Sequence, residues 1–126
     1  MSEQKKLTVV LGATTESSRY AYLAAERLKN HGVPFKLVSI KKGEIFGQEF
    51  LDLSTKPKIE GVHTVTLYIG ITRLDEWIPY ILSLQPKRII FNPGTENMEL
   101  AQAAQAQGIE TVFGCTLVML STGQYN

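Results

Sequence analysis

One stretch constrains the chain more than any other: Leu7-Thr8-Val9-Val10-Leu11, rich in β-branched residues and closed by Gly12. It has the pattern of a strand covered on both faces. A Thr- and Ser-rich turn follows, and then, over about residues 17–31, Tyr20, Ala21, Leu23, Ala24, Ala25 and Leu28 recur at helical spacing. Asn30-His31-Gly32 supplies the stop, glycine being suited to the left-handed position after a helix. Val33-Pro34 restarts the chain in extended form, and residues 35–40 read as a second strand. Strand, helix and strand in this order make a βαβ unit, whose crossover is right-handed by strong preference. A parallel sheet covered on both faces is the expected outcome.

The rest of the chain repeats the alternation with one gap. Residues 41–61 are polar, contain Gly43, Gly47 and Pro57, and show no helical stripe, so a second helix is expected to be missing there. A short strand is expected around residues 49–53 and a buried one over residues 62–69. Leu74, Trp77, Ile78, Ile81 and Leu82 mark a helix over residues 72–84, in which Pro79 either kinks the helix or marks its true start. Arg88-Ile89-Ile90-Phe91 is a strand ending at Asn92-Pro93-Gly94. Thr95 or Asn97 then caps an Ala- and Gln-rich helix that stops at Gly108. Residues 110–113 are expected as a last core strand, and the apolar stretch 115–120 packs on the body as a helix or an extended segment.

This pattern predicts an α/β protein, a three-layer, doubly wound parallel sheet of Rossmann-like form. The expected strand order is 3-2-1-4-5-6 with a short third strand, and the flavodoxin-like order 2-1-3-4-5 is the alternative. At 126 residues, one domain over residues 5–126 is expected to carry the whole function.

Composition narrows the function classes. Thirteen Lys/Arg against twelve Asp/Glu leave a net charge of +1, far from the strong basic field of a dedicated nucleic-acid binder. The halves differ, however: residues 1–60 carry ten basic and seven acidic groups, and residues 61–126 carry three and five. An anion site belongs in the first half. The apolar runs are too short to cross a bilayer. With a single cysteine, Cys115, and no apolar leader before Leu7, the expected location is a reducing cytoplasm.

In an open α/β sheet, ligands bind beyond the carboxyl ends of the strands where the strand order reverses. Four loops are thereby singled out. After the first strand, Gly12 permits a tight turn, free backbone N–H groups with the following helix terminus suit a phosphate, Thr14, Thr15, Ser17 and Ser18 add hydroxyl donors, and Arg19 can add a bidentate contact. This loop lacks the later glycines of G-x-G-x-x-G, so the alternative is a plain turn with Ser17 as N-cap. After the second strand, where an NAD enzyme carries an acid, the chain has Ser39, Ile40, Lys41 and Lys42, which suit a ribose phosphate or form a solvated basic turn. The third loop is the turn after Tyr68. In the fourth, Asn92, Pro93, Gly94 and Thr95 either approach a ligand or simply turn the chain into a capped helix.

Catalytic signals are sparse. The chain has no G-x-S-x-G, no H-E-x-x-H, no Walker A and no His/Cys pair at metal-ligand spacing. Cys115 is a nucleophile only beside a base, and His31 and His63 read as structural. The reading is therefore a binding module more than an enzyme, and no metal is called for.

Val10-Leu11-Gly12-Ala13-Thr14, Lys41 with Gly43-Glu44-Ile45-Phe46-Gly47, Val65-Thr66-Leu67-Tyr68, Asn92-Pro93-Gly94-Thr95-Glu96-Asn97 and Cys115-Thr116-Leu117-Val118 come in an order and spacing that resembles the stand-alone CoA-binding domain family. That family is similar to the N-terminal CoA-binding domain of the succinyl-CoA synthetase alpha subunit. The resemblance implies a Rossmann-like fold holding CoA or an acyl-CoA at the strand ends. It implies that Gly12, Ala13, Thr14 and Thr15 form the pyrophosphate loop with Arg19 nearby, that Lys41 meets the adenosine phosphates, that Tyr68 and Ile69 border adenine or pantetheine, and that Asn92 to Thr95 line the far side. Where many members read Val-Asn-Pro-Lys, this chain reads Val38-Ser39-Ile40-Lys41. The synthetase's catalytic histidine lies in a separate domain, so ligase activity does not follow. The expected partner is a small-molecule nucleotide ligand, with neither nucleic acid nor membrane, and with a protein partner or a second copy left open. The alternatives are a small NADP-type enzyme, with Lys41 and Lys42 on the 2′-phosphate, and an interaction protein with a decayed nucleotide site.

Overall fold

The structure, a computed structural model, describes residues 6–126. β1 (Thr8–Leu11) is fully buried and runs into Gly12, and α1 (Tyr20–Asn30) returns the chain to β2 (Phe35–Ser39). The two strands pair in parallel from Thr8 opposite Phe35 to Leu11 opposite Val38. α1 begins at Tyr20, the first residue of its stripe and three residues after the expected start near residue 17. Arg19, still extended at φ −90° and ψ 149°, is the N-cap, so Ser17 is not; the turn closed by the Arg19 amide on the Glu16 carbonyl occupies the intervening residues.

The missing second helix is replaced by a hairpin of β3 (Glu44–Ile45) and β4 (Gln48–Glu49), then β5 (Leu51–Asp52) and a 3-10 turn over Leu53–Thr55. The third strand of the main sheet is thus only two residues long, because Gln48 and Glu49 pair within the hairpin instead. The buried strand expected over residues 62–69 is β6 (Thr64–Leu67), parallel to β1 along its whole length.

The helix expected over residues 72–84 is broken in two. α2 (Ile71–Leu74) gives way to a 3-10 turn at Asp75–Trp77, and α3 (Ile78–Ser83) starts with Pro79 in its first positions. Proline has no N–H to donate back into a preceding turn, so it opens a helix rather than continuing one. β7 (Arg88–Phe91), α4 (Met98–Ala106), β8 (Glu110–Phe113) and α5 (Thr116–Ser121) complete the alternation; β8 is not the core strand expected, since it pairs with β7 alone at the sheet edge and leaves Glu110 and Phe113 exposed. Asn97, not Thr95, caps α4, its side chain accepting the Leu100 amide at 2.9 Å.

The main sheet is all parallel in the order β5-β2-β1-β6-β7-β8. Counted along its own strands this is 3-2-1-4-5-6, the expected Rossmann-like order. Each face has its own core. Val9, Leu11, Val65, Leu67, Ile89 and Phe91 meet α2, α3 and α4, whereas Val10, Leu37 and Ile90 meet α1 and α5. The order reverses between β1 and β6, so the loops at their carboxyl ends diverge and open a cleft.

Candidate functional site

At the reversal point the chain turns on Gly12 with φ +103°, and a Cβ there would sit 2.8 Å from the Tyr68 carbonyl oxygen. Only glycine lets the loops after β1 and β6 approach so closely. The Gly12 and Ala13 amides are not free, however. Both donate to the Val38 carbonyl, at 2.8 and 3.1 Å, extending the β1–β2 ladder by one turn. Anion-binding capacity therefore passes down the loop. The amides of Thr14, Thr15, Ser17 and Ser18, and those of Tyr20, Ala21 and Tyr22 in the first turn of α1, have no hydrogen-bond partner among the described residues. The Thr14 hydroxyl accepts the Glu16 amide at 3.2 Å and holds the loop's shape.

The cleft has a volume of about 210 Å³ and joins three loops. Gly12, Ala13, Thr14 and Arg19 form one wall, Ser39, Ile40 and Lys41 the second, and Tyr68, Ile69, Gly70 and Arg73 the third. Leu53 and Trp77 add apolar surface at its end. A groove of about 320 Å³ along Ser18, Tyr20 and Ala21 shares Gly12, Thr14, Arg19 and Tyr68 with it. Three cations, Arg19, Lys41 and Arg73, thus converge on a lining that has no carboxylate among the described residues, a field that favours a multiply charged anion.

Ser39 acts on the backbone: buried, it accepts the Lys41 amide at 3.0 Å and turns Lys41 into the cleft wall. Tyr68 is a border residue whose hydroxyl is buried without a hydrogen-bond partner among the described residues. Burial pushes its pKa up to about 12, the Thr116 and Thr66 hydroxyls opposing the rise. At neutral pH it is a neutral phenol, no base.

Other expected site residues lie off the cleft lining. Thr15 is exposed, and its methyl packs so closely on the hairpin that a Cβ on Gly43 would come within 2.7 Å of it. Lys42 is exposed near Asp52, whose carboxyl is held below the usual range first by hydrogen bonds from Ser54 and to a smaller degree by Lys42. The fourth loop does not reach the cleft either. The Asn92 side chain is buried and fully engaged, its amide nitrogen donating to the Thr66 hydroxyl at 2.7 Å and the Leu67 carbonyl at 2.8 Å, its oxygen accepting the Thr116 amide at 2.9 Å. Thr95 is buried on the Asn92 carbonyl at 2.8 Å, while Pro93 and Gly94 are exposed to solvent. This loop fastens β6, β7 and α5 together at the top of the sheet. Among the described residues no group of three or more His, Cys, Asp or Glu side chains is placed to hold a metal ion.

Sequence reasoning missed Gly70, Arg73, Trp77 and Leu53. A signal for Arg73 was present: Gly70-Ile71-Thr72-Arg73 repeats, after β6, the logic of a glycine leaving a strand and a basic residue at the opening of the next helix.

Comparison with known proteins bears on the family and the fold. The family described as "CoA binding domain" matches residues 6–121. Among solved structures, the chain is similar to one described as the crystal structure of an uncharacterized protein, with 56% identity and TM-score 0.92, covering 97% of this chain and 99% of that one. It is also similar to cell-free ID.343 from Thermus thermophilus, with 25% identity and TM-score 0.84, over 94% of this chain and 90% of that one. The fold recurs in a dinucleotide forming acetyl-coenzyme A synthetase 1 from Ca. Korarchaeum cryptofilum in complex with phosphate and ADP, at 15% identity and TM-score 0.69, over 86% of this chain and 25% of that one. No curated protein matches the chain.

Proposed function

We propose that this chain, which belongs to the CoA-binding domain family, binds CoA or an acyl-CoA in the cleft between β1 and β6 and carries out no chemistry on it. The observation that carries the reading is the convergence of Arg19, Lys41 and Arg73 with unpartnered loop amides on one cleft whose described lining has no carboxylate. CoA presents a diphosphate, a ribose phosphate, a flat adenine and an extended pantetheine. Each has a counterpart here. The amides of Thr14 and Ser18, and of Tyr20 and Ala21 at the start of α1, with Arg19, suit the diphosphate. Lys41, at the end of the second strand, suits the ribose phosphate. Trp77, Ile69 and Leu53 offer apolar surface to adenine or pantetheine. Too little of CoA fits within about 210 Å³, so the ligand extends along the adjoining groove.

Among the described residues the cleft lining carries no imidazole, carboxylate or thiol, and its phenol titrates at about 12. A binding role follows more readily from that set than general acid–base catalysis does. The domain spanning residues 5–126, and a cytoplasmic location, belong to the same reading.

Isothermal titration tests it. CoA should bind, and at a free concentration about 100 times its Kd should raise unfolding stability by about 2.7 kcal/mol. Lys41→Ala should weaken CoA about tenfold or more while leaving dephospho-CoA nearly unchanged, since one charge-assisted contact to the ribose phosphate is lost. Absence of binding by CoA, acetyl-CoA and longer acyl-CoAs at millimolar concentration, or tight NADPH binding without CoA binding, would overturn the proposal.

A further inference from the structure

The opposite end of the sheet carries a second cavity that the cleft does not use. It occupies about 970 Å³ beneath the amino ends of β1, β6 and β7. The four-residue strands place it roughly 13 Å or more from the cleft. Its floor is apolar and buried, formed by Ile59, Val62, Tyr80 and Leu84. Its rim holds four lysines, Lys6, Lys56, Lys58 and Lys87, against one carboxylate, Glu60. Among the described residues none of these lysines has an ion-pair partner, and Lys6 reaches only the Tyr125 carbonyl, at 3.4 Å.

The cavity's frame is fixed. The Tyr80 hydroxyl donates to the Pro57 carbonyl at 2.6 Å, and Lys56, left-handed at φ +50°, ends the 3-10 turn so that both Lys56 and Lys58 line the space. The Lys87 and Arg88 amides both donate to the His63 carbonyl, at 2.9 and 2.8 Å. Arg88 adds to the positive field from behind. It is buried, bonded through its other nitrogens to Thr64 and the Tyr125 carbonyl, and faces the Tyr125 ring at 4.3 Å; one terminal nitrogen has no partner among the described residues. His63 lines the cavity and registers the field: burial lowers its pKa most, and Arg88, Lys6 and Lys87 lower it further, with Glu110 opposing.

We propose that this amino-terminal edge is a second ligand site, taking a small organic phosphate with an apolar or aromatic body. Several lysines around one opening act as separate point charges, which suits a multiply charged phosphate better than a single carboxylate. The buried apolar floor requires a ligand that covers it, which inorganic phosphate alone does not do.

Nuclear magnetic resonance with phenyl phosphate and inorganic phosphate as probes, ionic strength held constant with sodium chloride, tests the site with and without CoA. Phenyl phosphate should bind about fivefold tighter than inorganic phosphate and move the amides of Val62 and Leu84. It should raise the His63 pKa by about half a unit, because a bound anion offsets the cations around the ring. The double variant K58Q/K87Q should weaken phenyl phosphate about fivefold or more and leave the CoA titration unchanged. The inference is overturned if His63 titrates identically with and without about 20 mM phenyl phosphate, if K58Q/K87Q binds the probe as well as the parent, or if CoA displaces it. If the double variant fails to fold, the His63 titration of the unaltered chain decides alone.

Discussion

Gly12, Asn92 and Tyr68 show how single residues set the shape of the proposed site. Gly12 combines φ +103° with a Cβ position 2.8 Å from the Tyr68 carbonyl, so Gly12→Ala should cost about 2 kcal/mol or more in urea unfolding and weaken CoA in titration. Its importance was legible in the sequence because a glycine that closes a buried strand marks a tight turn or a close backbone approach. That its amide and Ala13's are already bonded to Val38 was not legible, since backbone partners depend on the neighbouring strand. Asn92 reads in the sequence as a ligand-facing residue, whereas its amide group is consumed by Thr66, Leu67 and Thr116. A sequence shows that an amide sits at a strand end but not whether it faces the cleft or the sheet. Asn92→Ala should cost about 3 kcal/mol in chemical denaturation, because the Leu67 carbonyl and the Thr116 amide lose buried partners. Burial pushes the Tyr68 phenol up from its ordinary 10 to about 12, so its contribution is complete below pH 10 and is lost as the pH rises from 10 through 12. Stability measured by urea unfolding should therefore fall across that window by about 2 kcal/mol from this residue, and Tyr68→Phe should make the fall shallower.

At the scale of elements, β1 and β7 were legible because buried, β-branched runs closed by Gly12 or by Asn92-Pro93 leave little freedom of assignment, whereas β8, with Glu110 and Thr111, was bracketed only by Gly108 and Gly114. The helices were less legible. The stripe over residues 72–84 follows burial, and burial continues through the 3-10 turn at Asp75–Trp77 although the hydrogen-bond ladder does not, so α2 and α3 read as one element. α1 starts later than expected because Ser17 offers cap chemistry without capping: the residues after it close a turn, and helical geometry begins only where the stripe does, at Tyr20. The cap of α4 is more than a local stop. Asn97 accepts the Leu100 amide, and its nitrogen donates to the Ile71 carbonyl at 2.9 Å and the Asp75 carboxylate at 2.8 Å, tying α4 to the segment that carries Arg73. Asn97→Ala should cost about 2 kcal/mol by thermal or urea unfolding, more than an isolated cap, and Asn97→Ser, which keeps the cap but not the tie, should recover about half of it.

For the whole molecule, the strand order puts the cleft where β1 and β6 diverge, and two separate cores hold the diverging loops from opposite faces. Alternation of strand and helix made that architecture readable, whereas the cleft's third wall came from loop geometry and stayed hidden. The charge asymmetry between the halves has a spatial meaning. Of the basic residues in the first 60, Arg19 and Lys41 line the cleft, while Lys6, Lys56 and Lys58 line the opposite edge, so one surplus serves two ends of the sheet. Acid should weaken the fold through the second end. His63 titrates below its ordinary 6.5 in the folded state, so its contribution is complete above pH 6.5 and is lost as the pH falls through the folded value. Urea midpoints should decline below pH 6.5, and less steeply in His63→Gln. The most direct test of the central claim is a crystal structure of the chain grown with CoA. Density for the diphosphate at the loop after Gly12, with Arg19 and Lys41 on the phosphates, is the predicted result; CoA lodged elsewhere, or a cleft closed against it, would contradict the account.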